Sequence, residues 1–254
     1  MVLGGAWRTG EDYLPFAEAL APFYAVHVVD RRGRGASGPQ GPNYSIEREI
    51  EDVSAVQAHT EAGIVFGHSY GGLIALEAAR RCNVFSDIVV YEPGVSVAGS
   101  IPLGWMALYR ERLAAGDRRA AFAAMVRGAG GAPPALDRMP LWYVKAILRL
   151  FVHQREWQRI DPLLEAGLRE HEQVAALDEP DPHRYQSVTG HVTLLGGAKS
   201  RHQLTTTTFD QLTAAIPTCT TELIPGLDHT APDDKAPGLV AKRVRNHLLH
   251  PSSR

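Results

Sequence analysis

Ser69 lies between two glycines, Gly67 and Gly71, in the pattern G-x-S-x-G. This pattern is typical of a nucleophile raised on a sharp strand-to-helix turn, because the strained turn leaves no room for side chains beside the serine. An apolar run at residues 63–66 precedes the turn, and a stretch with helical spacing follows it, as the motif requires. The pattern predicts a catalytic site built around Ser69. The alternative is a glycine-rich turn whose serine only caps the helix.

A histidine and a second loop are placed to complete such a site. His229 follows the apolar strand of residues 221–224 and precedes an amphipathic helix, so its loop can bring the imidazole to Ser69. Near the start of the chain, Gly4 and Gly5 end a short strand, and their loop can present a backbone N–H to an oxyanion. Taken singly, these features read as an ordinary loop histidine and a plain turn. Together with Ser69 they favour nucleophilic catalysis.

The segment 28–37, Val-Val-Asp-Arg-Arg-Gly-Arg-Gly-Ala-Ser, lies between these groups. With them it resembles the α/β-hydrolase fold superfamily, in which a D-x-R-G-x-G-x-S turn follows a strand. The resemblance covers residues 2–92 and resumes from 191 to 249. It implies an α/β fold with a doubly wound, mostly parallel sheet and an inserted helical cap. Four residues match the turn, where the family gives them a structural role: Arg32, Gly33, Gly35 and Ser37.

The resemblance implies acyl transfer to water through an acyl-enzyme on Ser69, with His229 as general base. The oxyanion donors it implies are the N–H groups of Tyr70 and Ala6. The first loop departs from the family pattern, which usually has a histidine before the glycine, because this chain has Gly4 there. The backbone donors are retained, but the family pattern does not account for how this loop is positioned.

A second difference from the family pattern concerns the acidic residue that orients the histidine. The family usually places an aspartate just after the strand that matches residues 191–195, where this chain reads Gly-Gly-Ala-Lys-Ser. Some branches of the fold take the acid from the end of the strand after the elbow, where Glu92 stands. The alternative for Glu92 is a strand-end carboxylate paired with an arginine of the cap. Asp210, in a predicted helix, and Asp228, whose side chain is expected to diverge from His229, are weaker candidates.

Alternating elements must position these groups. Six segments are predicted as strands of a parallel sheet: residues 1–3, 25–29, 63–66, 87–91, 191–195 and 220–224. Helical patterns separate most of them, including residues 45–59 with Ser45 as N-cap, and this alternation favours a doubly wound sheet. Between the fourth and fifth strands only helical stretches occur: residues 103–115, 120–127, 141–152 and 162–176. We therefore predict a core of residues 1–92 and 186–254 with a helical cap at 93–185.

The cap is rich in aromatic residues: Trp105, Tyr109, Phe122, Trp142, Tyr143, Phe151 and Trp157. We expect most of them to form the cap's own core and a minority to face the site, which favours a substrate with an apolar or aromatic moiety. Three cap histidines, His153, His171 and His183, lack metal-ligand spacing and are expected at the surface or at helix ends.

Length, net charge and cysteine content limit the partners and the kinds of site that the chain can have. The chain has 254 residues, enough for one sizeable core, and its net charge of −2 with a pI near 6.6 gives no basic field for nucleic acid. Cys82 and Cys219 indicate neither a disulfide framework nor a metal site, and we expect no metal and no cofactor. No leader pattern or bilayer-length apolar run is evident. We expect a cytoplasmic protein that acts on a small molecule, without a membrane partner.

Three functions remain open. A serine hydrolase of carboxylic esters, lactones or thioesters is favoured by Ser69 and His229, whereas a serine excludes the aspartyl-ester route of haloalkane dehalogenases and epoxide hydrolases. The missing aspartate and the altered first loop favour the other two: a non-hydrolytic acyltransferase or cyclase, or a catalytically silent binding protein. Labelling by a fluorophosphonate would separate them.

The strand at residues 25–29 is expected to lie at an edge of the sheet. In the fold that the chain resembles, two further strands normally precede the one ending in the oxyanion glycines, and one of them covers this position. An apolar edge strand offers unpaired backbone groups to other chains. We therefore predict either a homo-oligomer formed along this edge or a monomer of modest stability.

Overall fold

A parallel six-stranded sheet forms the centre of the protein. The computed structural model describes residues 1–129, 134–200 and 206–249. The strands are β1 (Val2–Leu3), β2 (Val28–Val29), β3 (Ile64–His68), β4 (Asp87–Tyr91), β5 (His191–Gly197) and β6 (Cys219–Ile224). Their spatial order is β2-β1-β3-β4-β5-β6. The chain order reverses at β1, whose Leu3 pairs with Gly67 of β3. Ligands of open α/β sheets bind in the crevice at such a switch point, beyond the carboxyl ends of the strands.

Helices cover both faces of this sheet. The helices are α1 (Leu14–Leu20), α2 (Ile46–Thr60), α3 (Tyr70–Cys82), α4 (Met106–Ala114), α5 (Arg118–Gly128), α6 (Pro134–Asp137), α7 (Leu141–Phe151), α8 (Gln154–Ile160), α9 (Leu164–Ala176), α10 (Thr208–Ala215) and α11 (Pro237–Leu249). Apolar residues of α2, α3 and α10 pack in one buried cluster with the sheet. Those of α1 and α11 pack in a second cluster. The predicted doubly wound α/β fold is therefore confirmed.

The predicted strands agree with the structure except at one edge. The strand expected at residues 25–29 is reduced to Val28 and Val29, because its neighbour β1 offers only Val2 and Leu3 for pairing. It is the outermost strand on that side of the described sheet, as expected. Pairing between chains along it stays a prediction. Ser45 is the N-cap residue of α2, also as expected.

Between β4 and β5 the described residues form the helices α4 to α9. A third apolar cluster lies here and includes Trp105, Tyr109, Phe122 and Trp157. Four of the seven aromatic residues therefore form a local core, as expected for most of them. The other three are exposed on α7: Trp142, Tyr143 and Phe151. The division into a core and a cap at residues 93–185 stays a prediction. Within the described ranges, no helix has the length and apolar character needed to cross a bilayer.

Candidate active site

Ser69 occupies a strained turn between β3 and α3. Its φ is +53° and its ψ is −119°, a region that residues with a side chain rarely adopt. A Cβ atom on Gly67 would lie 2.5 Å from the carbonyl oxygen of Gly71, and one on Gly71 would collide with the backbone of Leu3. The N–H of Ser69 donates to the carbonyl of Tyr91 at 3.0 Å. The two glycines therefore permit the turn, and the neighbouring strand β4 holds it in place.

Glu92 and His229 form a hydrogen-bonded pair near this turn. The Nδ1 atom of His229 lies 2.8 Å from Oε2 of Glu92. The other oxygen of Glu92 accepts hydrogen bonds from the N–H of Gly197 at 2.8 Å and from Oγ of Ser200 at 2.6 Å. Glu92 is 8% exposed, whereas the His229 side chain is 45% exposed. The carboxylate is thus fixed in the protein, and the imidazole is open to the crevice.

The pKa values of this pair shift in opposite directions. Burial alone would raise the pKa of Glu92, but hydrogen bonds from His229, Ser200 and Gly197 outweigh it and hold the pKa below its ordinary value. Burial alone would lower the pKa of His229, but the hydrogen bond and charge of Glu92 outweigh it and raise the pKa above its ordinary value. A carboxylate that stays ionised beside an imidazole can hold one tautomer and stabilise the imidazolium.

The segment that lacks the aspartate binds Glu92 through Gly197 and Ser200. A Cβ atom on Gly197 would collide with the backbone of Leu227, which belongs to the loop that carries His229. Gly197, the last residue of β5, is therefore packed against the histidine loop, and its N–H donates to Glu92. Among the described residues, no arginine of the insertion pairs with Glu92, so the alternative pairing is wrong.

The two weaker acid candidates lie elsewhere. Asp210 is exposed on α10. The carboxylate of Asp228 accepts hydrogen bonds from Thr230 and Lys235 and so diverges from His229, as expected. Neither contacts the imidazole of His229.

Two side chains that the sequence analysis did not single out hold the histidine loop. The hydroxyl of Tyr91 donates to the carbonyl of Asp228 at 2.8 Å, and Nε2 of His68 lies 2.9 Å from the carbonyl of His229. The rings of His68 and His229 are 4.9 Å apart between centroids. His68 directly precedes Ser69, so this contact brings the histidine loop to the elbow. Within the described chain, no hydrogen bond joins Ser69 Oγ to His229, and such bonds often tighten only when substrate binds.

His68 also connects the elbow to the first loop. Since a carbonyl only accepts, Nε2 of His68 carries the proton that faces His229, and Nδ1 accepts from the Tyr13 hydroxyl at 2.7 Å. That hydroxyl accepts in turn from the N–H of Gly5 at 2.8 Å. Burial lowers the pKa of His68 well below its ordinary value, in agreement with a neutral ring. Nothing in the sequence marks Tyr13, because its partners are brought to it only by the fold.

The first loop lies against the nucleophile. A Cβ atom on Gly5 would lie 3.2 Å from the Cβ atom of Ser69. Within the described chain, the N–H groups of Ala6 and Tyr70 donate no hydrogen bond, as an oxyanion site requires. Their role as oxyanion donors stays a prediction.

His171 is not the surface or helix-end residue that the sequence predicted. It lies within α9, its ring stacks on Trp7 with centroids 4.6 Å apart, and its Nδ1 donates to the carbonyl of Gly167 at 2.8 Å. The ring of Trp105 is 5.1 Å away. Its spacing on α9 could not reveal this, because Trp7 comes from a distant part of the chain.

Burial lowers the pKa of His171 from 6.5 to about 4. The unfolded chain therefore takes up a proton at higher pH than the folded chain, so stability is lost as the pH falls from about 6.5 towards 4. We expect His171→Phe, which can keep the stack on Trp7, to show a smaller drop in melting temperature over this interval than wild type. The exposed His183→Asn is the control. An unchanged drop in His171→Phe would contradict the assignment.

Comparison with known proteins agrees with this geometry. The sequence matches the alpha/beta hydrolase family over residues 2–243. It is 38% identical over 80 residues to a pimeloyl-[acyl-carrier protein] methyl ester esterase of Xanthomonas campestris pv. campestris, a match that spans 31% of this chain and only 30% of that relative's length. An alpha/beta hydrolase from Sphaerobacter thermophilus is 28% identical, with a TM-score of 0.79 over 97% of this chain and 91% of that one. The N-formylmaleamic acid deformylase of Pseudomonas putida, 23% identical with a TM-score of 0.66 over 96% and 90%, shares the fold.

Proposed function

Because this chain belongs to the alpha/beta hydrolase family, we propose that it is a serine hydrolase that forms an acyl-enzyme on Ser69. The observation that carries the proposal is the 2.8 Å hydrogen bond between Glu92 and His229, next to the strained turn of Ser69. In this proposal Glu92 is the acid, in place of the aspartate that the family usually has after β5 and that this chain lacks. A nucleophile, a base and a group that orients the base are the components that acyl transfer needs.

In the proposed reaction, Ser69 Oγ attacks the substrate carbonyl while His229 takes its proton at Nε2. The N–H groups of Ala6 and Tyr70 stabilise the oxyanion. The imidazolium then gives the proton to the leaving alcohol or thiol, and the acyl group remains on the serine. Water, deprotonated by His229, then attacks the acyl carbon. The bond to Oγ breaks, the imidazolium returns its proton to Oγ, and the acid is released as Ser69 is restored. Glu92 stays ionised throughout and holds Nδ1–H of His229.

The proposed substrates are carboxylic esters, lactones or thioesters with an apolar or aromatic moiety. Trp7 belongs to the first loop, beside the proposed oxyanion site, and it contacts Trp105, Tyr109 and His171. Aromatic walls of this kind favour apolar groups. The methyl ester esterase named among the relatives supports ester hydrolysis in particular.

The alternatives are a non-hydrolytic acyltransferase or cyclase and a silent binding protein. Two features favour them, the missing aspartate and the altered first loop. The contact of Glu92 with His229 supports the hydrolase against the first of these arguments, since it provides a carboxylate beside the imidazole. The altered first loop does not distinguish the three functions by itself, and the product formed does.

The test is labelling with a fluorophosphonate, with the adduct located by peptide mass spectrometry, followed by a panel of short and long acyl esters. We expect an adduct on Ser69 and release of free acid. The product shows which molecule accepts the acyl group: water gives a free acid, and an alcohol gives a new ester. An adduct on another residue, or none in a folded protein, would contradict the proposed function.

The acid limb of the pH profile follows from His229. The neutral imidazole of His229 is the active form. Because its pKa is raised from the ordinary value of 6.5, His229 takes up its proton at a higher pH than a free histidine does. We expect kcat/KM to fall as the pH is lowered, with its midpoint above 6.5, and Asp210→Asn to keep that midpoint. A midpoint below 6.5 in wild type would be inconsistent with the raised pKa.

A further inference from the structure

Two buried arginines lie behind the first loop. Arg31 and Arg34 are 2% and 4% exposed. Nε of Arg31 donates to the carbonyl of Gly4 at 3.0 Å and its Nη2 donates to that of Gly5 at 3.1 Å. Nη1 of Arg34 donates to the same carbonyl of Gly5 at 3.1 Å. One backbone oxygen of the loop is therefore held by two guanidinium groups.

This contact fixes the direction of a neighbouring N–H. The carbonyl of Gly5 and the N–H of Ala6 belong to one peptide unit, and since the described chain has no cis peptide bond, they point in opposite directions. With its oxygen held towards the arginines, the unit turns the Ala6 N–H away from them. Gly5 itself lies against Ser69.

We propose that Arg31 and Arg34 are positioning residues that aim the Ala6 N–H at the oxyanion formed on Ser69. The inference rests on the proposed serine hydrolase function and deepens it. It explains how a loop without the family's histidine keeps its geometry. Arg31 and Arg34 do not touch substrate, so their effect passes through the Gly5–Ala6 peptide.

A helix of the insertion anchors the two arginines. Oε1 of Glu170 on α9 accepts from Arg34 and, at 3.0 Å, from Arg31, and Glu170 is fully buried. Oε1 of Glu49 on α2 accepts from Arg31 at 2.7 Å. Two carboxylates thus balance the charges of two guanidinium groups, and buried charges are normally paired in this way.

The same side of α9 also contacts Trp7, the residue that follows Ala6 in the first loop. Gly167 and His171 lie three residues before and one residue after Glu170, on one side of the helix, and both pack on Trp7. Trp7 has a φ of +55°, so its backbone needs support from its surroundings. The position of α9 therefore sets the loop through Trp7 and through the arginines.

The test removes one ion pair without leaving an unpaired charge. In the double variant Arg34→Met/Glu170→Met, Arg31 keeps Glu49, so the protein is expected to fold, since apolar residues often replace buried ion pairs at little cost. We expect kcat to fall about 10²-fold, with KM changed less than about threefold, because a donor misplaced by about 1 Å costs that much. Glu172→Gln, on the same helix but paired with Arg110 at the surface, is the matched control.

A second readout does not depend on turnover. Amide hydrogen exchange in residues 4–8 is expected to rise in the double variant and to stay at the wild-type level in Glu172→Gln. Unchanged exchange and unchanged kcat would overturn the positioning role, as would a loss of thermal stability at constant kcat. If Ser69→Ala kept wild-type turnover, the serine mechanism would fail instead. Amide hydrogen exchange in residues 4–8 would still test whether Arg31 and Arg34 hold the first loop.

Discussion

Ser69→Ala is expected to remove ester turnover and to leave the melting temperature within about 2 °C of wild type, since a change that costs no contact shifts it little. Loss of the nucleophile in a serine hydrolase lowers kcat by about 10⁶-fold, and what remains comes from the oxyanion site and binding. The stability is retained because alanine keeps the Cβ atom and the strained φ of +53°. In the described chain, the Oγ atom of Ser69 makes no hydrogen bond that alanine would lose.

The measurement is steady-state hydrolysis of an acyl ester together with thermal unfolding. Ser187→Ala is the control, because Ser187 is exposed and precedes β5, at the edge of the sheet opposite the carboxyl ends. Ser69→Ala turnover close to wild type would rule out the acyl-enzyme mechanism. A large loss of stability would instead mean that the turn depends on the hydroxyl.

Glu92→Gln is expected to lower turnover by about 10⁴-fold, the cost of replacing the acid of a serine protease triad by its amide. The amide keeps the size of the side chain, but if its oxygen accepts from the N–H of Gly197, its NH₂ group faces Nδ1 of His229 and selects the other tautomer. The neutral amide also has no charge with which to stabilise the imidazolium. The lowered pKa of Glu92 adds a stability effect. The ionised carboxylate stabilises the fold at neutral pH, and this contribution is lost as the pH falls through the folded pKa. The variant should therefore be less stable than wild type at pH 7, with the difference shrinking in acid.

Asp210→Asn is the matched control, because it makes the same kind of carboxylate-to-amide change at an exposed site on α10. It should keep wild-type turnover and stability. Equal turnover in the two variants would mean that Glu92 does not support His229, and the enzyme would then work as a dyad of serine and histidine.

Much of the fold could be predicted from the sequence because its signals are local. The apolar runs at β3, β4 and β5 and the helical spacing of α2 each lie within a few residues. The G-x-S-x-G pattern is local as well, since Gly67 relieves a collision made by the turn itself, whereas Gly71 makes room for the backbone of β1. The length of β2 was overestimated because a strand's length depends on its partner, here the two residues of β1.

The parts of the site that escaped prediction are contacts between distant segments. Tyr13 meets His68 across 55 positions, and Arg31 meets Glu170 across 139. Neither pair has a spacing or composition that marks it in advance. Glu92 could be predicted only from its place at the end of β4, because the hydrogen-bond donors that favour it come from β5 and from the histidine loop.

Gly197 has a consequence for how this protein can change. Leu227 fills the space where a side chain at Gly197 would lie, so an aspartate cannot be introduced there by a single substitution without moving the histidine loop. A redesign that places any side chain at position 197 therefore has to remodel the histidine loop at the same time. Substitutions at this end of β5 and in the loop are in this sense coupled, so they have to be optimised together rather than one after the other.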